Sequence, residues 1–289
     1  MRMYGGIEAG GTKWVCAVAD AGGRLVATGV IPTTTPEETI ERVVRFFADH
    51  PGLAALGIGS FGPVDLRAGS PTYGRIMGTP KPGWDGTDVV TPLREALGVP
   101  VALDTDVNAA ALGEWLHGAG QGLDCVAYVT VGTGIGLGAV VNGGLLRGLL
   151  HPEFGHIRVP SADGHPGSCP FHGDCLEGLA SGEAMRRRWG RRPEELEDPA
   201  AWELEAEHLA HAVLHLTYTL APQRIVMGGG VAGHPGLLER VRERVLGIAG
   251  GYPAVPALTE PEAMSAYLVG PALGGHSGIT GAIELGKRC

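Results

Sequence analysis

Apolar and polar positions along the chain fall into short blocks that predict strands in two separate stretches. Residues 3–8 (MYGGIE) read as a first strand. Residues 14–20 (WVCAVAD) and 23–31 (GRLVATGVI) follow, with Gly22 and Gly23 as the hairpin turn between them. A helix is predicted from Pro36 to His50, because Ile40, Val43, Val44 and Phe47 recur on one face. Residues 55–60 (ALGIGS) form another apolar strand that enters the turn FGPVD. Leu66 to Trp84 is rich in Gly, Pro, Ser and Thr and reads as a long loop, a length that often carries function. Thr87–Leu97 suits a helix, VPVALDTD (99–106) a strand, and Asn108–His117 an alanine-rich helix.

The pattern then restarts. DCVAYVTVG, GIGLGAVV, a turn at Asn142-Gly143 and LLRG give a second strand meander. Helices are predicted over Leu176–Trp189, Trp202–Leu220, His234–Leu246 and Gly278–Gly286, and a strand at RIVMGG (224–229). A meander with a Gly/Thr-rich turn thus occurs twice, at 10–20 and 132–141. The two accounts of this are an internal duplication and the chance likeness of two glycine-rich hairpins.

With 289 residues, 44% of them hydrophobic, the chain can bury more than one sizeable core. No apolar run is long enough to span a bilayer, and the start, MRMYGGIEAGGTK, lacks the apolar segment and cleavage site of a secretory signal. A soluble, cytoplasmic protein without a membrane partner is expected. The net charge of −9 argues against a nucleic-acid partner, since phosphate backbones would be repelled. Five scattered cysteines, an odd number, are poor material for a disulfide framework. Cys16 and Cys125 lie in apolar runs and read as small buried hydrophobes. The 49 glycines have no collagen-like period and mark tight turns and close backbone approaches.

Gly10-Gly11-Thr12-Lys13 follows the first strand and exposes amides, a hydroxyl and a charge that suit phosphate oxygens. Neither the Walker spacing nor a dinucleotide fingerprint is present, and an ordinary hairpin turn explains the residues equally well. Gly132-Thr133-Gly134 repeats the arrangement in the second half. Two such loops could hold one nucleotide's phosphate chain from two sides. Asp104 and Asp106 close the strand VALDTD, where alternation places both on one side. A carboxylate there can orient a substrate hydroxyl and accept its proton. Taken alone, Asp106 is more simply the N-cap of the helix that follows.

Cys169, His172 and Cys175 are separated by two-residue gaps, and His156 precedes them by a loop's length. Two Cys and two His form a tetrahedral zinc set, closed and therefore structural. His151 and His165 are close enough in sequence to compete, although on their own they read as solvent-facing loop residues. Glu153 and Glu177 flank the cluster, either as sugar-hydroxyl acceptors or as plain surface charge. His208, His211 and His215 share a helix face that is better read as partly buried than as a metal site. Gly228-Gly229-Gly230 follow the strand RIVM, as a wall against a flat ring or phosphate or as a tight strand-to-helix connection.

In order along the chain, IEAGGTK (7–13), SFGPVD (60–65), TPKPGW (79–84), DTDVNAAALGE (104–114), VGTGIGLG (131–138), EFGH (153–156), CPFHGDCLEG (169–178) and MGGGV (227–231) resemble the ROK family of sugar kinases. The resemblance implies the two-lobed actin/hexokinase-like, ribonuclease H-like α/β fold with an inserted zinc-binding loop. It implies lobes near residues 1–115 and 116–289, with the last helix able to pack on the first lobe. It further implies Asp106 as catalytic base. Thr105, Glu153, His156 and Glu177 would contact the sugar. Gly10, Gly11, Thr12, Lys13, Thr133, Gly134, Gly229 and Gly230 would bind ATP with Mg²⁺. His156, Cys169, His172 and Cys175 would bind zinc. IEAGGTK, TPKPGW and the Cys-His-Cys of the zinc loop look most like the bacterial fructokinase branch, acting on C6 of fructose; glucokinase relatives tend to show other residues where this chain has Glu8, Thr105 and His172. Mannose, glucose and N-acylhexosamines are the alternatives, and a homodimer is expected. The sugar-responsive repressors of the family carry a DNA-binding segment before the first phosphate loop, which here begins at Glu8. The sequence GGHSG (274–278) departs from the family's acidic G-D-N-A-G.

Overall fold

A computed structural model describes residues 2–161 and 163–289. The first unit comprises residues 1–117, 145–151 and 276–289, and the second 118–144 and 152–275. Its opening elements are β1 (Met3–Ala9), β2 (Lys13–Asp20), β3 (Leu25–Pro32), α1 (Pro36–Ala48), β4 (Leu53–Ser60), α2 (Thr91–Leu97), β5 (Val101–Thr105) and α3 (Asp106–His117). The strands form one sheet in the order β3-β2-β1-β4-β5. The meander β1–β3 is antiparallel, whereas β1, β4 and β5 run parallel.

The second half supplies β6 (Cys125–Val131), β7 (Ile135–Val141), β8 (Gly144–Leu145), α4 (Leu176–Ala180), α5 (Gly182–Trp189), α6 (Pro199–Leu220), β9 (Arg224–Gly228), α7 (Leu237–Ala249), α8 (Pro256–Thr259), α9 (Pro261–Tyr267), β10 (Leu268–Val269) and α10 (Ser277–Lys287). Its sheet order is β8-β7-β6-β9-β10, with β6 and β7 antiparallel and β6, β9 and β10 parallel. Strand for strand this repeats the first sheet, β6 standing where β1 stands and β9 where β4 stands. Chance likeness of two hairpins does not produce a shared five-strand order, so duplication is the better account.

Three predicted helices differ at their ends for local reasons. The stretch Leu176–Trp189 is two helices, because Ser181 is extended and its hydroxyl accepts from the Ala184 amide, capping α5. The helix predicted from Thr87 starts at Thr91, because the Asp88 carboxylate accepts from the Val90 and Thr91 amides and holds a turn there. Strand β5 stops at Thr105 and Asp106 opens α3. Period-two alternation therefore does not reach Asp106, and its pairing with Asp104 on one strand face is corrected.

The first unit's core joins Ile7, Trp14, Val43, Phe47, Leu56 and Ile58. The second unit's core gathers β6, β7 and β9 residues with the buried face of α6. Helix α10 lies on β1, β4 and α3, and glycines make that approach possible. A Cβ on Gly281 would fall inside the Ala109 carbonyl oxygen, and one on Gly57 inside the Ala282 carbonyl oxygen. Neither obstacle is a flexible side chain, so neither can step aside. Gly281→Ala is expected to destabilise the protein by about 3 kcal/mol in urea unfolding. Gly247→Ala, on α7 with nothing near its Cβ position, should instead gain about 0.8 kcal/mol from helix propensity.

Among the described residues no helix is long and apolar enough to cross a membrane.

Candidate functional site

In the first unit the parallel strands β1, β4 and β5 end together. Ala9 pairs with Ser60, and Ser60 with Thr105. Ligands of such sheets gather at the carboxyl ends of the strands. The Gly10–Lys13 loop and Asp106 both start there, two strand spacings or about 10 Å apart. The loop is braced from within: Gly10 N–H donates to the Lys13 carbonyl at 3.0 Å, and the Thr33 hydroxyl donates to the Gly10 carbonyl at 2.8 Å. Gly11, Thr12 and Lys13 are exposed, and no atom comes near the Cβ position of Gly11. Beside them, burial pushes the Glu8 carboxyl up against the pull of the Lys13 charge. Glu8 fills the space against Gly278, where a Cβ would lie 2.5 Å from its carboxyl carbon.

The simpler reading of Asp106, as a cap, meets a competitor. The capping bond comes from Thr105, whose hydroxyl accepts from the Asn108 amide at 3.1 Å. Thr105 is buried, and Asp106 accepts from the adjacent Val107 amide at 2.9 Å. Asp104 is wholly buried. One of its oxygens accepts from the Thr105 amide (2.8 Å) and the Asn108 side chain (2.7 Å), the other from Arg147.

The segment after β4 is ordered by Asp65, also wholly buried. It accepts from Arg67, Ser70 and Thr72. The Arg67 guanidinium, then the Thr72 hydroxyl, hold its carboxyl far below the usual range in spite of burial. The loop's far end is anchored by Trp84, buried among Trp14 and Phe61 and donating to the Thr34 carbonyl. His151, expected to face solvent, is buried in this unit instead, and its Nε2 accepts from the Val64 amide at 3.2 Å.

In the second unit β6, β9 and β10 are the parallel strands. The Gly132–Gly134 loop leaves β6 and Gly229-Gly230 leaves β9, side by side, since Thr130 pairs with Gly228. Gly229 has φ 101° and a Cβ there would strike the Val131 backbone, so only glycine fits. The Val231 amide donates to the Val131 carbonyl at 2.9 Å, fixing one loop against the other. Thr133 is exposed at the tip.

The loop from 153 to 177 joins this arrangement through Glu177. Its carboxylate accepts from the Ile135 amide at 2.9 Å and leaves no space for a Cβ on Gly134. Burial first, and the neighbouring Glu177 charge second, push the Glu153 carboxyl up to about 7. Cys169 and Gly173 exchange backbone hydrogen bonds at 3.1 and 3.0 Å, forming a tight knuckle.

Ligand atoms of His156, Cys169, His172 and Cys175 lie within 4.8 Å of one another. Cys169 Sγ is 3.8 Å from Nδ1 of both His156 and His172, and Cys175 Sγ is 3.6 Å from His156 Nδ1. Zinc bonds of about 2.1–2.3 Å at tetrahedral angles place ligand atoms roughly 3.4–3.8 Å apart. The donor set and its spacing therefore fit zinc. The other ring nitrogen of His156, Nε2, lies 3.9 Å from the Glu153 carboxylate. His165 Nδ1 instead accepts from the Gly167 amide in a local turn. On α6, His208 is buried and His211 pairs with Glu207.

Three features escaped sequence reasoning: the Asp104–Arg147 ion pair, the Asp65 hub and the burial of His151. The first and third join positions 43 and 87 residues apart, which no local pattern signals.

A repeated five-strand α/β sheet, with glycine loops at the carboxyl ends of its parallel strands, defines the actin/hexokinase-like fold of sugar kinases. The chain belongs to the ROK family, whose model matches residues 4–288. It is 45% identical over 298 residues to the fructokinase of Zymomonas mobilis subsp. mobilis, covering 98% of this chain and 96% of that one. The ROK hexokinase of Thermus thermophilus has a crystal structure that superposes with a TM-score of 0.79 at 31% identity, covering 99% and 98% of the two chains. The ROK glucokinase of Streptomyces griseus, solved with glucose and AMPPNP, superposes with a TM-score of 0.77 at 28% identity, covering 99% and 100%.

Proposed function

We propose that this chain transfers the γ-phosphoryl group of ATP to the C6 hydroxyl of a hexose, D-fructose above others, giving fructose 6-phosphate. The observation that carries the reading is Asp106. It stands at the carboxyl end of β5, Thr105 supplies the cap, and the Gly10–Lys13 loop leaves the same sheet edge. In this role Asp106 orients the sugar hydroxyl and accepts its proton. Amides and hydroxyls of Gly10, Gly11, Thr12, Thr133 and Gly134, with the Lys13 charge, hold the phosphates, and Gly229 and Gly230 line the base side. Glu153, His156 and Glu177, with Thr105, bind sugar hydroxyls.

Mg²⁺ bound with ATP would offset the charge that builds on the phosphate oxygens. Zinc on His156, Cys169, His172 and Cys175 braces the loop that carries Glu153 and Glu177. A cytoplasmic homodimer completes the reading.

Fructose is favoured by 45% identity, over nearly the whole chain, to a fructokinase. The likeness to a glucokinase solved with glucose keeps glucose as the second substrate to test. A DNA-binding regulator fits less well with the net charge of −9. A coupled ADP-release assay across fructose, mannose, glucose and N-acetylated hexosamines decides. The highest kcat/KM is expected with fructose. A higher value with glucose would reassign the substrate, and no hexose-dependent release would reject the kinase.

A further inference from the structure

We propose that Arg147 is a positioning residue for the catalytic base, acting through Asp104. The inference rests on the reading of Asp106 given above and extends it to a residue outside the phosphate and sugar loops.

Asp106 lies midway between two residues that are held from one side. Asp104, two positions before it, has no exposed surface and binds the Arg147 guanidinium through Nε at 2.8 Å and through Nη2. Asn108, two positions after it, donates through its side chain to Asp104 at 2.7 Å and to the Leu146 carbonyl at 3.3 Å. The Asp104 carboxylate also accepts from the Thr105 amide. Residues 146 and 147 thus grip both flanks of the strand-to-helix corner on which Asp106 stands, all within the first unit. A planar guanidinium meeting a carboxylate with two donors fixes direction as well as distance.

The pair also settles a charge. A buried carboxylate without its cation is costly and either takes up a proton or draws in water. Either change would reshape the hydrogen bonds to Thr105 and Asn108 and tilt the corner. Misplacement of a reacting group by about 1 Å costs on the order of a hundredfold in rate. Arg147 is 46% exposed but Asp104 is wholly buried, so loss of the guanidinium should lower the thermal midpoint as well as shift the corner, and the test must separate the two effects.

The test compares wild type, Arg147→Gln, Arg147→Lys and Arg147→Gln combined with Asp104→Asn. Each is measured for kcat and KM on the best hexose and for thermal midpoint. Arg147→Gln should lower kcat about 30- to 100-fold with KM for sugar and ATP within about threefold. Arg147→Lys keeps the charge but not the fork and should lose about tenfold. In the double variant an amide pair replaces the ion pair and no buried charge is stranded, so about tenfold of the kcat loss should return. Unchanged kcat in Arg147→Gln overturns the proposal. So does a fall in kcat that tracks the thermal midpoint across all three variants with no recovery in the double one, which marks a purely structural bond. If Arg147→Gln does not fold, Arg147→Lys decides by the same kcat and KM split. Absence of hexose-dependent turnover in the wild type rejects the underlying kinase reading instead, and the proposal with it.

Discussion

Asp106→Asn is expected to lower hexose-dependent ADP release about a thousandfold while leaving ATP affinity within about threefold. The substitution keeps shape and removes the capacity to take a proton. It should cost little stability, because the hydroxyl of Thr105 caps α3, the Asn108 amide's acceptor is retained, an asparagine oxygen can still accept from the Val107 amide, and the lost charge near the positive helix end is worth about 0.3–1 kcal/mol. Loss of rate without loss of fold separates the base from the cap. Titration calorimetry for ATP, alongside the coupled assay, reads both quantities. Turnover within tenfold of wild type would remove Asp106 from the chemistry.

Removing the metal is expected to have the second largest effect. Cys169→Ser should abolish zinc in the purified protein, raise KM for fructose at least about tenfold and lower the thermal midpoint. The knuckle holds few apolar side chains of its own: Cys169 and Cys175 are buried, but Phe171 between them is 65% exposed. If the cluster holds zinc, its loss would release His156 beside Glu153 and loosen the loop that places Glu177 on the Ile135 amide. Damage should therefore reach both sugar binding and the Gly132–Gly134 loop. His165→Ala, whose ring only closes a local turn, should leave zinc content unchanged. Metal analysis that finds no zinc in active protein would reject the site.

These features differ in how far the sequence could announce them. The Cys/His cluster was legible as a candidate zinc set because Cys169, His172 and Cys175 come from short-range spacing and coordination chemistry restricts the choices. The two glycine loops were legible as turns between apolar strands, and within each sheet the loop leaves at the carboxyl ends of that sheet's own parallel strands. The duplication could be suspected from the meanders, but the crossover order that decides it lies in pairings such as β1 with β4, about fifty residues apart. Asp106 was visible and ambiguous, since one carboxylate before a helix serves as a cap or a base. The Thr105 hydroxyl bond supplies a cap that does not depend on Asp106. Arg147 was invisible, because nothing in the run LLRG indicates a buried carboxylate 43 residues earlier. Glycines 57 and 281 illustrate the same limit: their cause is a backbone oxygen of another element, which composition cannot locate.

The most direct test of the central claim is the product itself. Phosphorus-31 NMR of the reaction of ATP, Mg²⁺ and fructose should show ADP and fructose 6-phosphate rising together, with inorganic phosphate flat. ADP with inorganic phosphate, or a phosphate on another carbon of the sugar, would contradict the assignment of Asp106 to the C6 hydroxyl.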